Sequence, residues 1–371
     1  MTASDDKRVL VAMSGGVDSS VAAAQLKMQG YDVVGASLRL RDLDQEADPK
    51  PCCSQDGIDQ AARVAKFLEI PHHIVDGRAK FEQLVLRPGW AEYARGRTPN
   101  PCVLCNRRMK FGVLLDYAES VGAGRLATGH HARIETDGQT GRPELRRGRD
   151  RDKDQSYFLF ALDSRQLSRV LLPVGTMSKG EVRERARSFG LPNAGRPESQ
   201  DACFLVPGES FAETLRRIFN QPRTPGVLVD TGGKKLGDHG GLHNFTVGQR
   251  RGLKLSLGRR AWVKSIQPKS ARVVVTTRED DLLSSRLAAT DVTWSPRFRD
   301  ILPGDTLRCH VQLRSRHTPA PARVTVLKNR RADVSFDAPQ RAVAPGQAAV
   351  FYQEDRVVGG GWIEQPFLGG A

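Results

Sequence analysis

The hexapeptide Ser14-Gly15-Gly16-Val17-Asp18-Ser19 stands between a short apolar run, Val9–Met13, and a stretch free of Pro and Gly, Ser19–Met28. The first fits a buried parallel strand. The second fits a helix that Gly30 stops. A Gly-rich turn from strand to helix lets the backbone approach an anion closely. The free N–H groups of the helix start then face it, and the helix dipole favours negative charge. Ser14 and Ser19 add hydroxyl donors. Asp18 is out of place beside phosphates unless it holds Mg2+ or caps the turn. The bland alternative is a Gly-rich turn with a capped helix; the strand–loop–helix setting favours phosphate.

The alternation continues. Tyr31–Leu38 reads as a strand, and Ile58, Ala61, Ala62, Ala65 and Leu68 form one helical stripe that ends before Pro71. His72–Val75 reads as a strand, Phe111–Ser120 as a helix and Leu126–Thr128 as a strand. This order predicts an α/β domain whose parallel sheet is covered on both faces. From about Pro207, glycines punctuate short segments, which predicts a small domain of turns and strands. After about Asp281, strands dominate: Ala288–Trp294, Thr306–Leu313, Arg323–Leu327, Ala332–Phe336, Ala349–Tyr352 and Val357–Trp362. They predict a β-barrel or sandwich. Arg142–Asp152 reads as an exposed Arg-rich loop. A chain of 371 residues suits two or three such domains.

The chain carries a net charge of +15, which argues for a polyanionic partner, nucleic acid before a membrane surface. Basic drift on solvated faces is the alternative. No apolar run is long enough to span a membrane, and the start of the chain does not read as a signal peptide. Six cysteines are too few for a disulfide scaffold, so we expect the reducing cytoplasm.

Cys102-Val103-Leu104-Cys105 is a C-x-x-C in an expected loop, led by Arg97-Thr98-Pro99-Asn100-Pro101, before a helix and near Arg107, Arg108 and Lys110. That setting predicts lowered thiol pKa values and reactivity. Cys203 is distant in sequence but able to fold back to the pair. Buried packing is the alternative for all three, and we leave Cys52, Cys53 and Cys309 with it. Without a second C-x-x-C a four-Cys zinc site is not expected. Ala127-Thr128-Gly129-His130-His131 ends a strand on the side where parallel sheets bind ligands. Two other patterns fail. Gly122–Ala127 has dinucleotide-fingerprint letters but precedes a strand, and Gly175–Gly180 has Walker spacing with Glu181 where Lys belongs.

These motifs together resemble the bacterial tRNA-specific 2-thiouridylases of the PP-loop ATP pyrophosphatase superfamily. SGGVDS marks the superfamily; GRTPNPCVLCN, ATGHHAR, KDQSYFL, FTVGQRRGL (Phe245–Leu253) and APGQAAVFY (Ala344–Tyr352) mark the thiouridylases. The resemblance implies a PP-loop ATP domain (1–210), a small tRNA-binding domain (211–282) and a C-terminal β-barrel (283–371). It implies ATP with Mg2+ held by Ala12, Met13, Ser14, Gly15, Gly16, Val17, Asp18, Ser19, Leu38 and Gly129. Asn100, Pro101 and Cys102 would lie against the target base. His130, Lys153, Asp154, Gln155, Arg314, Ser315 and Gln347 would contact tRNA. Cys105 matches the family's nucleophile and Cys203 its persulfide carrier. Some members carry Asp where this chain has Cys102, which leaves an acid/base role there in doubt.

The implied reaction is thiolation at C2 of the wobble uridine in tRNAs for Lys, Glu and Gln. The uracil oxygen attacks the α-phosphate of ATP and releases pyrophosphate, which the Gly-rich loop and Mg2+ stabilise. A cysteine persulfide, loaded by a cysteine desulfurase or relay protein, then supplies sulfur and AMP leaves. A second route uses Cys102, Cys105 and Cys203 as ligands of a 4Fe–4S cluster that delivers sulfide; the persulfide route is preferred. An amidating PP-loop synthetase would explain the Gly-rich loop but not the cysteines or the basic charge. An RNA-binding protein with a dead nucleotide fold would waste the loop.

Overall fold

The computed structural model describes residues 7–41, 55–197 and 209–368. Its first sheet contains β1 (Arg8–Ala12), β2 (Asp32–Arg39), β3 (His72–Asp76) and β4 (Arg125–Ala127). A hairpin, β5 (Ala132–Thr136) and β6 (Pro143–Arg147), then leaves this sheet, and β7 (Val170–Leu171) returns to its edge. The order is β3-β2-β1-β4-β7, all parallel. Val9, Leu10 and Val11 of the central strand are fully buried, as a strand covered on both faces requires. The helices α1 (Val17–Met28) and α2 (Gln55–Phe67) bury Ala-rich faces beside it.

One long helical segment replaces the expected Phe111–Ser120 helix. It begins ten residues earlier, as a turn over Pro101–Leu104, then runs π-helically over Cys105–Val113 and as α-helix over Leu114–Ser120. Pro101 opens it, and the Asn100 side chain accepts from Val103 N at 3.4 Å. The polar stretch Asn106-Arg107-Arg108 hid this start from a reading of apolar spacing. Helix α3 (Lys179–Ser188) is capped by Ser178 and Glu181.

The middle of the chain packs α4 (Phe211–Ile218) and a sheet of β8 (Gly226–Val229), β9 (Lys235–His239), β10 (Trp262–Gln267) and β11 (Arg272–Thr276). Its sheet order is β10-β11-β8-β9, over a core of its own.

The C-terminal strands are β12 (Leu283–Trp294), β13 (Thr306–Gln312), β14 (Ala320–Leu327), β15 (Arg331–Arg341), β16 (Ala348–Gln353) and β17 (Arg356–Leu368). They close into a six-stranded barrel, because β12 pairs with both β15 and β17. Strand β6 joins the outside of β17 through Arg146 and Arg356. The Arg142–Asp152 stretch is an exposed loop only toward its end, where Arg149, Arg151 and Asp152 are exposed; its first part is not. Pro143–Arg147 is a strand with Glu144 and Leu145 buried. Arg146 ties the first domain to the barrel through Asp355 at 3.0 Å, and also pairs with Glu144 of its own strand at 3.0 Å. Composition reads charge as solvated; here the charges are opposed across an interface.

Candidate functional site

Strands β1 and β4 run side by side with Val11 opposite Ala127. Their C-terminal ends therefore deliver Met13-Ser14 and Thr128-Gly129 to the same edge of the sheet. The turn after β1 is held by its own hydroxyls: Ser14 N donates to Ser19 Oγ at 3.2 Å, and Ser19 Oγ donates to Gly16 O at 3.1 Å. The start of α1 carries no side-chain cap, so Asp18 does not serve as one. Its first N–H groups keep the anion-facing character expected of an uncapped helix start. Gly129 lies flat against this start, and a Cβ there would fall 2.5 Å from Ser19 N.

A cavity of about 280 Å3 opens at this edge. Of the ten residues expected to hold ATP, Ala12, Met13, Ser14, Gly16, Val17, Asp18, Ser19, Leu38 and Gly129 line it; Gly15 does not. Gly15 has φ +74° and packs against the Gly57 carbonyl instead. Ala36, Leu40 and Leu114 give the cavity an apolar wall. Four cations also line it, Lys110, Lys179, Arg183 and Arg196, and the motif reading named none of them as a ligand. Lys179 lies inside the stretch that has Walker spacing but carries Glu181 where that motif needs Lys. Its pairing with Arg183, one helical turn on at a capped helix start, is the pattern that would have singled it out.

Lys179 Nζ contacts both oxygens of Asp18, at 2.6 and 2.7 Å, and His131 Nε2 donates to Asp18 Oδ1 at 3.3 Å. Burial alone would raise the Asp18 carboxyl. The His131 hydrogen bond and the Lys179 charge outweigh it and hold the pKa below the ordinary value. One carboxylate beside four cations suits a polyphosphate with Mg2+, an ion that is commonly held by one or two carboxylates plus phosphate oxygens.

Cys105 lines the same cavity, and Cys102 stands one turn before it on the cysteine helix. The expected lowering of their thiol pKa values is overturned. Burial pushes Cys102 up to about 11, Cys105 adds to the rise, and Lys110 opposes it. Burial raises Cys105 too, again against Lys110. The arginines that suggested the opposite point elsewhere: Arg107 pairs with Asp291 at 3.3 Å, and Arg108 is exposed. Desolvation of a thiolate therefore outweighs one nearby ammonium. Cys203 lies outside the described residues. Among those described, no group of three His, Cys, Asp or Glu side chains could hold a metal ion.

His130, expected at tRNA, is buried and lines the cavity. Burial, with Lys110 and His131 adding, drives its pKa well below the ordinary value, so the ring is neutral. Its Nε2 accepts from Lys110 Nζ at 3.5 Å and its Nδ1 donates to Thr128 Oγ1 at 2.7 Å. Gln155 also lines the cavity, and Lys153 is half-buried. Asp154 is nearly enclosed and salt-bridged to Arg147. Arg314 and Ser315 are exposed on the barrel, where their carbonyls accept from Gln312 Nε2 at 3.1 and 3.0 Å. Gln347 reaches from the barrel to the cysteine helix, donating to the carbonyls of Thr98 and Pro99 at 3.1 Å each. Asn100 is buried there and donates to Tyr157 Oη at 3.5 Å, and Tyr157 Oη donates to Ala348 O at 3.1 Å. Pro101, beside it, is half-buried. The segment expected against the target base is thus set in place by the barrel.

Three family models match the chain. They are the tRNA methyl transferase HUP domain over residues 7–207, the tRNA methyl transferase PRC-barrel domain over 213–277 and the aminomethyltransferase beta-barrel domain over 284–363. The tRNA-specific 2-thiouridylase MnmA of Geobacter metallireducens is 46% identical over 369 residues, 98% of either chain. The protein of that name from Solibacter usitatus is 45% identical over 372 residues, 97% of this chain and 100% of the relative. That from Syntrophotalea carbinolica is 47% identical over 359 residues, 96% of this chain and 99% of the relative.

Proposed function

Because this chain belongs to the tRNA-specific 2-thiouridylase family, we propose that it is an ATP-dependent tRNA-uridine 2-sulfurtransferase acting at the wobble uridine of tRNAs for Lys, Glu and Gln. The observation that carries this reading is that Cys105 and the phosphate loop line one cavity, together with Lys110. A sulfur nucleophile and an adenylation site must meet at one carbon atom, and a shared cavity permits that.

In the first half-reaction the uridine O2 attacks the α-phosphorus. An O–P bond forms, the bond to pyrophosphate breaks, and the base becomes an AMP ester. The N–H groups at the start of α1, with Lys179, Arg183 and Arg196, neutralise the pyrophosphate as charge gathers on it. Asp18 is the lining carboxylate suited to Mg2+, which would screen the phosphates. The apolar wall of Ala36, Leu38 and Leu40 takes the adenine side of the nucleotide.

In the second half-reaction Cys203 carries a persulfide received from a cysteine desulfurase or relay protein. The Cys105 thiolate attacks the inner sulfur, a Cys105–Cys203 disulfide forms, and the released sulfide displaces AMP from C2. Lys110 favours sulfur anions at Cys105 against their burial. A thiol reductant resets the disulfide. The iron–sulfur route would use Cys102, Cys105 and Cys203 as ligands; the persulfide route stands ahead because the family positions of Cys105 and Cys203 suffice for it without Cys102. No described helix is long and apolar enough to cross a membrane, and a cytoplasmic site of action fits a tRNA substrate.

The test is to incubate the protein with ATP, Mg2+, bulk tRNA and a persulfide donor, then quantify pyrophosphate, AMP and 2-thiouridine. Pyrophosphate release that requires tRNA, with sulfur appearing in the wobble uridine, supports the proposal. Release that ignores tRNA would point to a small-molecule ligase.

A further inference from the structure

The family resemblance sets Asp154 against tRNA, yet its carboxylate is already spent inside the protein. The side chain is 5% exposed. Oδ1 accepts from the backbone N–H groups of Gly148 and Ser156, both at 3.0 Å. Oδ2 accepts from Arg147 Nη1 at 2.9 Å and from Ser156 Oγ at 3.0 Å. Four bonds fill the four acceptor positions of a carboxylate. An RNA phosphate would also be repelled by it.

Its partner faces the other way. The Arg147 guanidinium lies 3.6 Å from the centre of the Tyr352 ring, and Nη2 donates to Gln312 Oε1 at 3.2 Å. Gln312 in turn holds the carbonyls of Arg314 and Ser315. One end of the 148–156 loop is thereby fastened to the barrel. The other end is fastened to the cavity wall. Gln155 N donates to His131 O, and Gln155 Oε1 accepts from His131 N, both at 2.9 Å. The His131 ring then donates to Asp18. Asp150 Oδ2 accepts from Lys179 N at 2.9 Å, so the same loop also seats the helix start that carries Lys179.

We propose that Asp154 and Arg147 are positioning residues for adenylation: they fix the 148–156 loop between barrel and cavity so that Gln155 and His131 hold Asp18 in place, and the Asp154 carboxylate is not a tRNA contact. The inference rests on the function proposed above. Removing one member of an enclosed, hydrogen-bonded ion pair leaves the other uncompensated and shifts what it supports. Displacements of an ångström at a reacting centre cost about a hundredfold in rate.

The experiment uses the full-length chain, Asp154→Asn, Arg147→Lys and the double variant. Three quantities are read well below each variant's melting temperature: tRNA Kd, ATP Kd and pyrophosphate release at saturating tRNA. The expected result for Asp154→Asn is a tRNA Kd within about twofold of the parent, with weaker ATP binding and release slowed about tenfold to a hundredfold. Arg147→Lys keeps the charge and loses the fork, so its loss is smaller, and the double variant is less impaired than the two losses combined. A purely structural role would lower the melting temperature and leave the rate intact. A tRNA Kd raised tenfold with release unchanged at saturation would make Asp154 an RNA contact and overturn the proposal. Should Asp154→Asn fail to fold, Arg147→Lys carries the same readings. The parent enzyme's tRNA-dependent pyrophosphate release and the ATP Kd separate failure of this inference from failure of the proposed function.

Discussion

Lys179 Nζ lies 2.6 and 2.7 Å from the two carboxylate oxygens of Asp18, bridging the starts of two helices that are 161 residues apart in the chain. The pair sets a cation and an anion where a polyphosphate and its metal ion would compete for them. Lys179→Ala is expected to slow tRNA-dependent pyrophosphate release about a hundredfold to a thousandfold, the usual cost of one lost donor to developing charge. The tRNA Kd should stay within about twofold. A normal release rate would remove Lys179 from the reaction.

Asp18 also gives a pH signature. Its pKa is lowered in the folded protein, so the folded state holds its proton less tightly than the unfolded chain. The stabilisation is complete above the ordinary value of 3.8 and fades as pH falls through the folded value. Melting temperatures of the parent and Asp18→Asn should therefore keep their gap down to pH ~4 and converge only below it. A gap that widens in acid would contradict this sign.

Cys102 is expected to react with iodoacetamide slowly at neutral pH. Its rate should rise about tenfold per pH unit without levelling off below pH ~10, because the thiolate is the reactive form and burial lifts the pKa to about 11. Mass spectrometry of the Cys102 peptide follows it. A plateau near neutrality would show that a nearby cation overrides desolvation.

Cys105→Ser and Cys203→Ser should each abolish 2-thiouridine, while Cys309→Ser keeps it. Cys309 sits in the barrel core, where burial raises its thiol to about 12. Cys102→Asp separates the two sulfur routes. Under the persulfide route it stays active in protein purified anaerobically without iron. An inactive variant, with parent activity that tracks iron and sulfide content, would favour the cluster.

The stretch from residue 247 to residue 260 contains no acid, and Arg250, Arg251, Lys254, Arg259 and Arg260 are all exposed along it. Thr246, just before it, meets Thr98 near the cysteine helix at 3.0 Å. Affinity for tRNA should fall steeply with salt. Replacing Arg250 and Arg251 by Glu should lower the slope of log K against log salt by about 2. An unchanged slope would place the RNA elsewhere.

Periodicity and local motif carried the sequence a long way. Val9–Met13, the Gly-rich turn and the helix after it were legible, because strand, turn and cap are decided by neighbours in the chain. Short strands with turn residues between them made the C-terminal β domain legible for the same reason. Other features needed distant residues. The Cys thiols rise rather than fall because burial, a property of the packed whole, outweighs Lys110, while Arg107 is drawn to Asp291, 184 residues away. Lys179 became visible at the cavity only when α3 docked against α1. The arginines of Pro143–Arg147 looked solvated until β6 joined the barrel and gave Arg146 the barrel's Asp355. Local conformation follows from short-range sterics and hydrogen bonding, which a sequence displays. Desolvation and charge pairing follow from contacts between remote segments, and only the tertiary structure decides those.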